Sequence, residues 1–236
     1  LPSDLELSSV LGDFENSLTK IIGESLAAVR IDGEWQGSLQ SIESTSGYWM
    51  YFSELVPSAS TMGIPVDENL LYELHYGNNL ISYAPSYAQS IENALPDDVE
   101  PHFTAIIGES VAAIQIDGEW QGVLQDLNPG SGYWVNVDTA LDFSYNNNQP
   151  RANKRKPIKK YPEGFEFTQY VQSSEQAFYF IKEVSLENGR PTENDWILSY
   201  CGDVVVGARQ YQEGYFDVPV MGYNSDEETM NYCEPG

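Results

Sequence analysis

The chain has 236 residues, of which 41% are hydrophobic and 13% aromatic, so it can build cores and is not a disordered polymer. Its 36 acidic residues against 11 basic ones give a formal net charge of −25. This charge excludes nucleic acid as an expected partner, because phosphate contacts need clustered Lys and Arg. No apolar run approaches the roughly 20 residues of a membrane-spanning helix, so membrane insertion is not expected either.

An internal repeat organises the first part of the chain. Residues 21–50 and 106–135 are identical at 20 of 30 positions, at a constant offset of 85 residues and without a gap. Two copies are too few for a solenoid, so the repeat predicts two tandem modules. We predict a first repeat module at 1–57, a linker at 58–69 and a second repeat module at 70–145.

Each copy has the residue pattern of β-structure. In the second copy, Val111–Ile116 is short and apolar, and Glu119–Leu124 is predicted to be the returning strand. Asp117-Gly118 between them favours a type I′ hairpin turn, since both central residues of that turn need a positive φ. The first copy repeats the turn at Asp32-Gly33.

The region upstream of the second copy predicts two further elements. Asn78–Ala84 has the pattern of the module's opening strand, and Ser90 is placed to cap a short helix that ends before Pro96. In the first copy, Leu1-Pro2-Ser3 aligns with Ala84-Pro85-Ser86. We therefore expect the first module to lack its opening strand and to have an open sheet edge, which another segment or chain should cover.

Residues 146–160 form a predicted basic linker. The segment is polar and interrupted by proline, and residues 151–160 carry six Lys or Arg and no acid. One interpretation is a solvated tether. A second is an electrostatic strap that lies on acidic modules or on an acidic neighbour, which would need direct contacts because salt screens charges beyond about 8 Å. A third is a nucleic-acid or nuclear-targeting patch, which the acidic residues on both sides disfavour.

Residues 161–236 are predicted to form a third, sandwich-like β-module, which we expect to be truncated. Pro219 favours an edge strand or a strand end in this module, because proline cannot donate to a strand ladder. The predicted fold class is mainly β, with two homologous small β-modules, each with a short helix, and this third module. Its predicted strands are Phe165–Gln169, Ala177–Ile181, Asp195–Tyr200, Val204–Gly207 and Tyr215–Val220.

The usual catalytic patterns are absent from the sequence, so we predict that the chain is not an enzyme. It has no Gly-x-Ser-x-Gly elbow, no His-Glu-x-x-His helix and no Gly-rich phosphate loop. The two histidines, His75 and His102, fit surface or packing roles better than the role of a base or ligand. No catalytic residue and no cofactor-binding residue is therefore assigned.

Two acidic clusters are candidates for calcium, which prefers oxygen ligands, although neither has the spacing of an EF-hand. Solvated loops are the simpler interpretation, and no other metal or cofactor is expected. The clusters are Asp97, Asp98 and Glu100, and Asp226, Glu227 and Glu228.

The duplicated aromatic residues allow two interpretations. They are either stacking platforms for sugars or parts of the modules' cores, because Trp buries a large apolar area. The side chains concerned are Trp35, Trp49, Trp120 and Trp134, together with Tyr48 and Tyr133.

Cys201 and Cys233 both fall in the third module, near predicted strand ends. In an exported protein they would form a disulfide, worth about 3–4 kcal/mol in the chain-entropy model. In a reducing compartment they would remain buried thiols. The sequence leaves both states open.

The motifs resemble a known kind of repeat. The first two modules are similar to repeats of large secreted and surface proteins of marine bacteria and of structural proteins of their phages. The motifs that carry this similarity are GNNLISY, SIENALPDDV, IIGES, GEWQG and GSGYW. The segment from NDWILSYCGDVVVGARQY to GYFDVPVMG is similar to β-modules that accompany that repeat. The resemblance covers nearly the whole chain apart from the basic linker, and it brings no catalytic residue with it.

The resemblance implies a non-catalytic structural or adhesive component of an extracellular surface or a virion. The expected partners are other protein subunits of a larger assembly, with strand complementation as one mode of contact. A carbohydrate-binding module and an accessory attachment region of a large secreted enzyme are the alternatives, and glycans are the partner in the first of these.

Overall fold

The computed structural model describes residues 6–53, 66–67, 69–147, 169–187 and 189–234. These residues form mainly β-structure in several antiparallel sheets with two short α-helices, which confirms the predicted fold class. Among them, no helix has the length and apolar character needed to cross a membrane. Most of the predicted basic linker and most of the predicted strand Phe165–Gln169 lie outside the described residues.

The first repeat begins with helix α1 (Leu7–Leu11) and a 3₁₀ turn (Gly12–Ser17), which cover one face of a four-stranded antiparallel sheet. The strand order is β3-β2-β1-β4, with β1 Leu18–Ile22, β2 Ala27–Ile31, β3 Glu34–Gly37 and β4 Trp49–Phe52. The core of this repeat consists of Leu7, Val10, Leu11, Leu18, Ile21, Ala28, Leu39 and Ile42.

The second repeat has the counterparts of these strands and several additional elements. Helix α2 (Ile91–Ala94) begins after Ser90, whose hydroxyl accepts a hydrogen bond from the Asn93 N–H. A 3₁₀ turn (Glu100–His102) follows it. The strands are β5 Tyr72–Leu74, β6 Gly77–Ser82, β7 Gln89–Ser90, β8 Phe103–Gly108, β9 Val111–Ile116, β10 Glu119–Gly122, β11 Asp126–Leu127, β12 Gly132–Val137 and β13 Leu141–Phe143.

The following strand pairs of the second repeat are antiparallel. β9 lies between β8 and β10, and β12 pairs with β6 over six residues from Gly132–Ser82 to Val137–Gly77. Two short pairs, β11 with β7 and β13 with β5, complete the arrangement. Five aromatic rings pack together beside them, namely Tyr72, Tyr83, Phe103, Phe143 and Tyr145.

The two copies adopt the same local structure at equivalent positions. Asp32 and Asp117 have φ values of 52° and 53°, and the glycine after each also has a positive φ, as a type I′ turn requires. The hydroxyls of Thr19 and Thr104, which are 85 residues apart, each donate to a carbonyl oxygen 32 residues further along, at 3.2 Å in both copies. The duplication therefore holds at the level of individual hydrogen bonds.

The third region contains two antiparallel strand pairs, β14 with β17 and β15 with β16, and a 3₁₀ turn (Glu227–Thr229). Pro219 lies inside β17, which pairs with β14 alone among the strands in the described residues, so the proline is accommodated in an edge strand. The strands are β14 Gln176–Ile181, β15 Trp196–Cys201, β16 Val204–Gln210 and β17 Phe216–Met221.

The chain divides into two compact units. Unit 1 contains Leu1–Thr104 and Asp126–Pro150, and unit 2 contains Ala105–Gln125 and Arg151–Gly236. Unit 1 therefore includes the first repeat with β6 and β12. Unit 2 combines β9 and β10 of the second repeat with the third region.

Candidate functional site

Two segments of the first repeat lie along β6 within unit 1. Glu24 Oε2 accepts a hydrogen bond from the Leu80 N–H at 2.7 Å, and the Gly47 N–H donates to the Leu80 carbonyl at 2.9 Å. The Ser82 N–H donates to the Thr45 carbonyl at 2.9 Å. These bonds lie on the side of β6 opposite β12, so the first repeat covers that edge and satisfies its main-chain groups. We call this set of contacts the β6 junction.

The β6 junction depends on a close backbone approach at Gly47. A Cβ atom at this position would lie 2.8 Å from the Ile81 carbonyl oxygen and 3.0 Å from a methyl carbon of Leu80. Because these distances are shorter than an ordinary contact, only glycine fits there. At the equivalent residue of the second copy, Gly132, an added Cβ would come within 3.1 Å of the Gly47 Cα atom.

His75 joins the β6 junction through the second oxygen of Glu24. Its Nε2 atom lies 2.6 Å from Glu24 Oε1, and its Nδ1 atom lies 2.9 Å from the Tyr76 carbonyl oxygen. Both contacts favour the charged ring, so the Tyr76 carbonyl and the Glu24 carboxylate raise the pKa of His75. The His75 side chain is 63% exposed, so the ring contacts solvent as well as the Glu24 carboxylate.

A buried ion pair connects β16 and β17 in unit 2. Arg209 Nη2 lies 2.8 Å from Asp217 Oδ2, and the Arg209 Nε–H donates to the Asp217 carbonyl at 2.8 Å. The other carboxylate oxygen accepts the Val123 N–H at 2.6 Å, and Arg209 Nη2 also donates to the Ser110 carbonyl. Burial raises the pKa of Asp217, an effect that the Arg209 guanidinium and the Val123 N–H oppose. The pair thus holds the second repeat's β9–β10 region against the third region.

The same turn in both copies contributes to these contacts. The Gly-Glu-Ser turn is Gly23-Glu24-Ser25 in the first copy and Gly108-Glu109-Ser110 in the second, and its serine has φ values of 61° and 59°. In the first copy its glutamate binds β6. In the second copy its serine hydroxyl contacts Gln172 Oε1, and its glycine carbonyl accepts the Gln176 side-chain amide at 3.4 Å. Each copy therefore uses this turn to bind a segment that follows it in the chain.

The duplicated tryptophans are all half-buried. Trp35 Nε1–H donates to Glu15 Oε1 at 2.9 Å, and the ring packs on the first repeat's core. Trp35 pairs with Arg30, and Trp49 pairs with Ile22, which places the two rings on opposite faces of the same sheet. One flat platform made of both rings is therefore excluded in the first copy.

The duplicated tyrosines, Tyr48 and Tyr133, each accept a hydrogen bond from a main-chain N–H in a nearby loop. The Glu43 N–H donates to the Tyr48 hydroxyl at 2.9 Å, and the Asn128 N–H donates to the Tyr133 hydroxyl at 2.8 Å. Both bonds join equivalent residues of the two copies. Sugar stacking on Trp120 and Trp134 stays a prediction.

The remaining candidate residues are His102 and the acidic clusters. His102 Nδ1 lies 2.9 Å from Asp138 Oδ1 at the surface. Asp226 precedes the 3₁₀ turn that contains Glu227 and Glu228, and its carbonyl accepts a hydrogen bond from the Thr229 hydroxyl. In the part of the chain that the structure describes, no group of three or more His, Cys, Asp or Glu side chains could hold a metal ion. The calcium site stays a prediction.

Cys201 and Cys233 form a disulfide that joins the end of β15 to the last described residues. Their Cα atoms are 5.6 Å apart, and the bond links positions 32 residues apart in sequence. The Tyr223 N–H donates to the Cys233 carbonyl at 2.8 Å, so the cross-linked segment is also tied to the main chain.

Three of the residues that carry these contacts were not singled out from the sequence: Glu24, Arg209 and Asp217. Asp217 interrupts an apolar strand pattern, which is the kind of signal that marks a buried charge in need of a partner.

Comparison with protein-family models, with curated proteins and with solved structures gives no match to this chain.

Proposed function

We propose that this chain is a non-catalytic structural or adhesive component of an extracellular surface or virion assembly, in which it binds other protein subunits. The observation that carries the proposal is the reuse of the Gly-Glu-Ser turn, which binds a different following segment in each copy. A turn of this kind is a connector between modules: it binds the Leu80 main chain in the first copy and the Gln172 and Gln176 side chains in the second. Such contacts build arrays of modules rather than a pocket for a substrate.

Two further features support this proposal. The Cys201–Cys233 disulfide suits an oxidising environment outside the cytosol. The net charge of −25 favours solubility of an exposed surface and disfavours non-specific binding to polyanions. The resemblance to surface and virion repeats agrees with both features.

Immunoelectron microscopy tests the proposed function. Antibodies against the purified chain are applied to intact cells and to particles from the natural source. Regular labelling of a cell surface or of a particle is the expected result. Labelling confined to the cell interior would overturn the proposal.

A glycan array on the purified chain separates the carbohydrate-binding alternative from this proposal. The structural function predicts no saturable binding to any glycan. Saturable binding that is lost in a Trp134→Ala variant, with unchanged thermal unfolding, would replace the structural function by the carbohydrate-binding one.

A further inference from the structure

The four-stranded sheet of the first repeat has a second face, on the side opposite to its core, that is largely apolar. Val29 and Ile31 of β2 alternate with Ala28 and Arg30, so their side chains point away from the core, and they are 41% and 47% exposed. The strand register places seven more residues on the same side. We call this surface the outer face, and its residues are Lys20, Ile22, Ala27, Val29, Ile31, Glu34, Gln36, Trp49 and Tyr51.

The outer face is electrically neutral on a strongly acidic chain. Lys20 and Glu34 are its two charged residues, so the rest of the chain carries the whole net charge of −25. The Lys20 ammonium lies 4.0 Å from the centroid of the Tyr51 ring, a cation–π contact that holds it on this face. An exposed apolar surface without excess charge is typical of a protein-binding site.

The second copy has the equivalent hairpin packed on another strand within unit 2. Ala112 of β9, the counterpart of Ala27, is fully buried, whereas Ala27 is half-buried. Val123, directly after β10, belongs to a buried cluster with Phe216 of β17, whereas its counterpart Ser38 is exposed. Packing against other β-structure is therefore a use that this hairpin already has in the second copy.

We propose that the outer face binds the outer face of a second copy of this chain, so that two sheets pack face to face about a two-fold axis parallel to their strands. The inference rests on the proposed function and names one subunit and one surface of the assembly. The axis reverses the strand order β3-β2-β1-β4, so β2 of each copy lies over β1 of the other. Val29 and Ile31 of each copy then cover Ile22 of the other.

Charge favours a second copy over other protein partners. The proposed axis brings Glu34, at the β3 edge, over the half of the other sheet that contains Lys20, and it does so twice. A strongly basic partner would meet one acid on this face, and a strongly acidic partner would meet one base. Two copies repel each other through the rest of their surface, so the neutral outer face is where they can approach.

Sedimentation velocity on the full chain at increasing protein concentration tests the inference. We expect a reversible equilibrium between monomer and dimer. Dimerisation should strengthen as the salt concentration rises, because salt screens the repulsion between two chains of charge −25 and leaves the apolar contacts in place. A chain that stays monomeric up to about 1 mM at high salt overturns the inference.

Two variants with the same change of charge locate the surface. Val29→Lys adds a second ammonium group beside Lys20 and should weaken dimerisation by about tenfold or more, because like charges would then meet in the interface. Leu71→Lys changes a residue that is 52% exposed outside the outer face and should leave dimerisation unchanged. Thermal unfolding checks that both variants are folded. Equal dimerisation by the two variants overturns the inference.

An exchange of charges checks the two-fold arrangement. Lys20→Glu should weaken dimerisation by about tenfold or more, because two acids then face each other in each half of the interface. The Lys20→Glu, Glu34→Lys double variant keeps the net charge of the chain and should restore dimerisation. A double variant that dimerises no better than Lys20→Glu overturns the arrangement.

The dimer and the proposed function can fail separately. A dimer that Val29→Lys leaves intact but that Asp217→Asn abolishes identifies exchange of the third region as the contact and overturns the inference. Surface labelling of a chain that stays monomeric removes this inference and leaves the proposed function standing. Dimerisation through the outer face without surface labelling removes the proposed function and leaves the outer-face contact standing.

Discussion

The Arg209 guanidinium and the Asp217 carboxylate lie 2.8 Å apart with 2% and 0% of their side chains exposed. The carboxylate also accepts the Val123 N–H, which belongs to a segment 94 residues earlier in the chain. A buried pair of this kind fixes which segments meet, because each charge is tolerated only with its partner in place. It is a buried polar contact between the second repeat and the third region within unit 2.

Replacing Asp217 by asparagine should destabilise the protein by about 3–5 kcal/mol, because the Arg209 guanidinium would be left buried without a counter-charge. Urea unfolding of the wild type and of Asp217→Asn measures the change. An Arg209→Met, Asp217→Leu double variant serves as control and should lose less than the single variant, since it buries no unpaired charge. Equal stability of Asp217→Asn and wild type would contradict this account of the pair.

Adding a single methyl group at Gly47 should disrupt the β6 junction. The Cβ of a Gly47→Ala variant would meet the Ile81 carbonyl oxygen at 2.8 Å, so the two segments must move apart, at a cost of about 1–3 kcal/mol. Thermal unfolding detects this loss, and faster hydrogen exchange at Leu80 and Ser82 locates it. Ser46→Ala, one residue earlier, is the control and should leave exchange at both amides unchanged.

The contacts of His75 with the Tyr76 carbonyl and with the Glu24 carboxylate should make stability depend on pH. The pKa of folded His75 is raised above the unfolded value of about 6.5, so its contribution is fully present below that pH. The contribution is lost as the pH rises through the folded pKa. Urea unfolding between pH 5 and 8 should therefore show a fall in stability with rising pH that a His75→Gln variant lacks. An identical pH profile for both proteins would rule out this role of His75.

Loss of the disulfide should cost about 3–4 kcal/mol in the chain-entropy model, given the 32-residue separation of Cys201 and Cys233. A Cys201→Ser, Cys233→Ser double variant measures the loss by urea unfolding. Reduction and alkylation of the unfolded wild type should add two alkyl groups, which intact mass detects. Two alkyl groups without prior reduction would show that the thiols are free.

Local features of the fold were predictable because they depend on short sequence patterns. The Asp-Gly turns, the Ser90 cap and the strands around Asp117 follow from the residues themselves.

The candidate site was largely unpredictable because its contacts join distant residues. Glu24 is 56 residues from Leu80, and no local pattern indicates that its carboxylate caps a strand edge. Arg209 and Asp217 are only 8 residues apart, but their burial depends on the second repeat packing over them. Two features of the sequence could have indicated these contacts: the glutamate that both copies share, Glu24 and Glu109, and Asp217 within an apolar strand.

The serine of the Gly-Glu-Ser turn has the same unfavourable backbone conformation in both copies. Ser25 and Ser110 both adopt a left-handed backbone, which costs a residue with a side chain roughly 1–2 kcal/mol more than glycine. After the duplication, each copy could have relieved this cost with one change to glycine, and neither has done so. Both copies have serine at this position, although the contact of its hydroxyl with Gln172 is described in the second copy. The two copies therefore bind different segments of the chain, and both do so with the Gly-Glu-Ser turn.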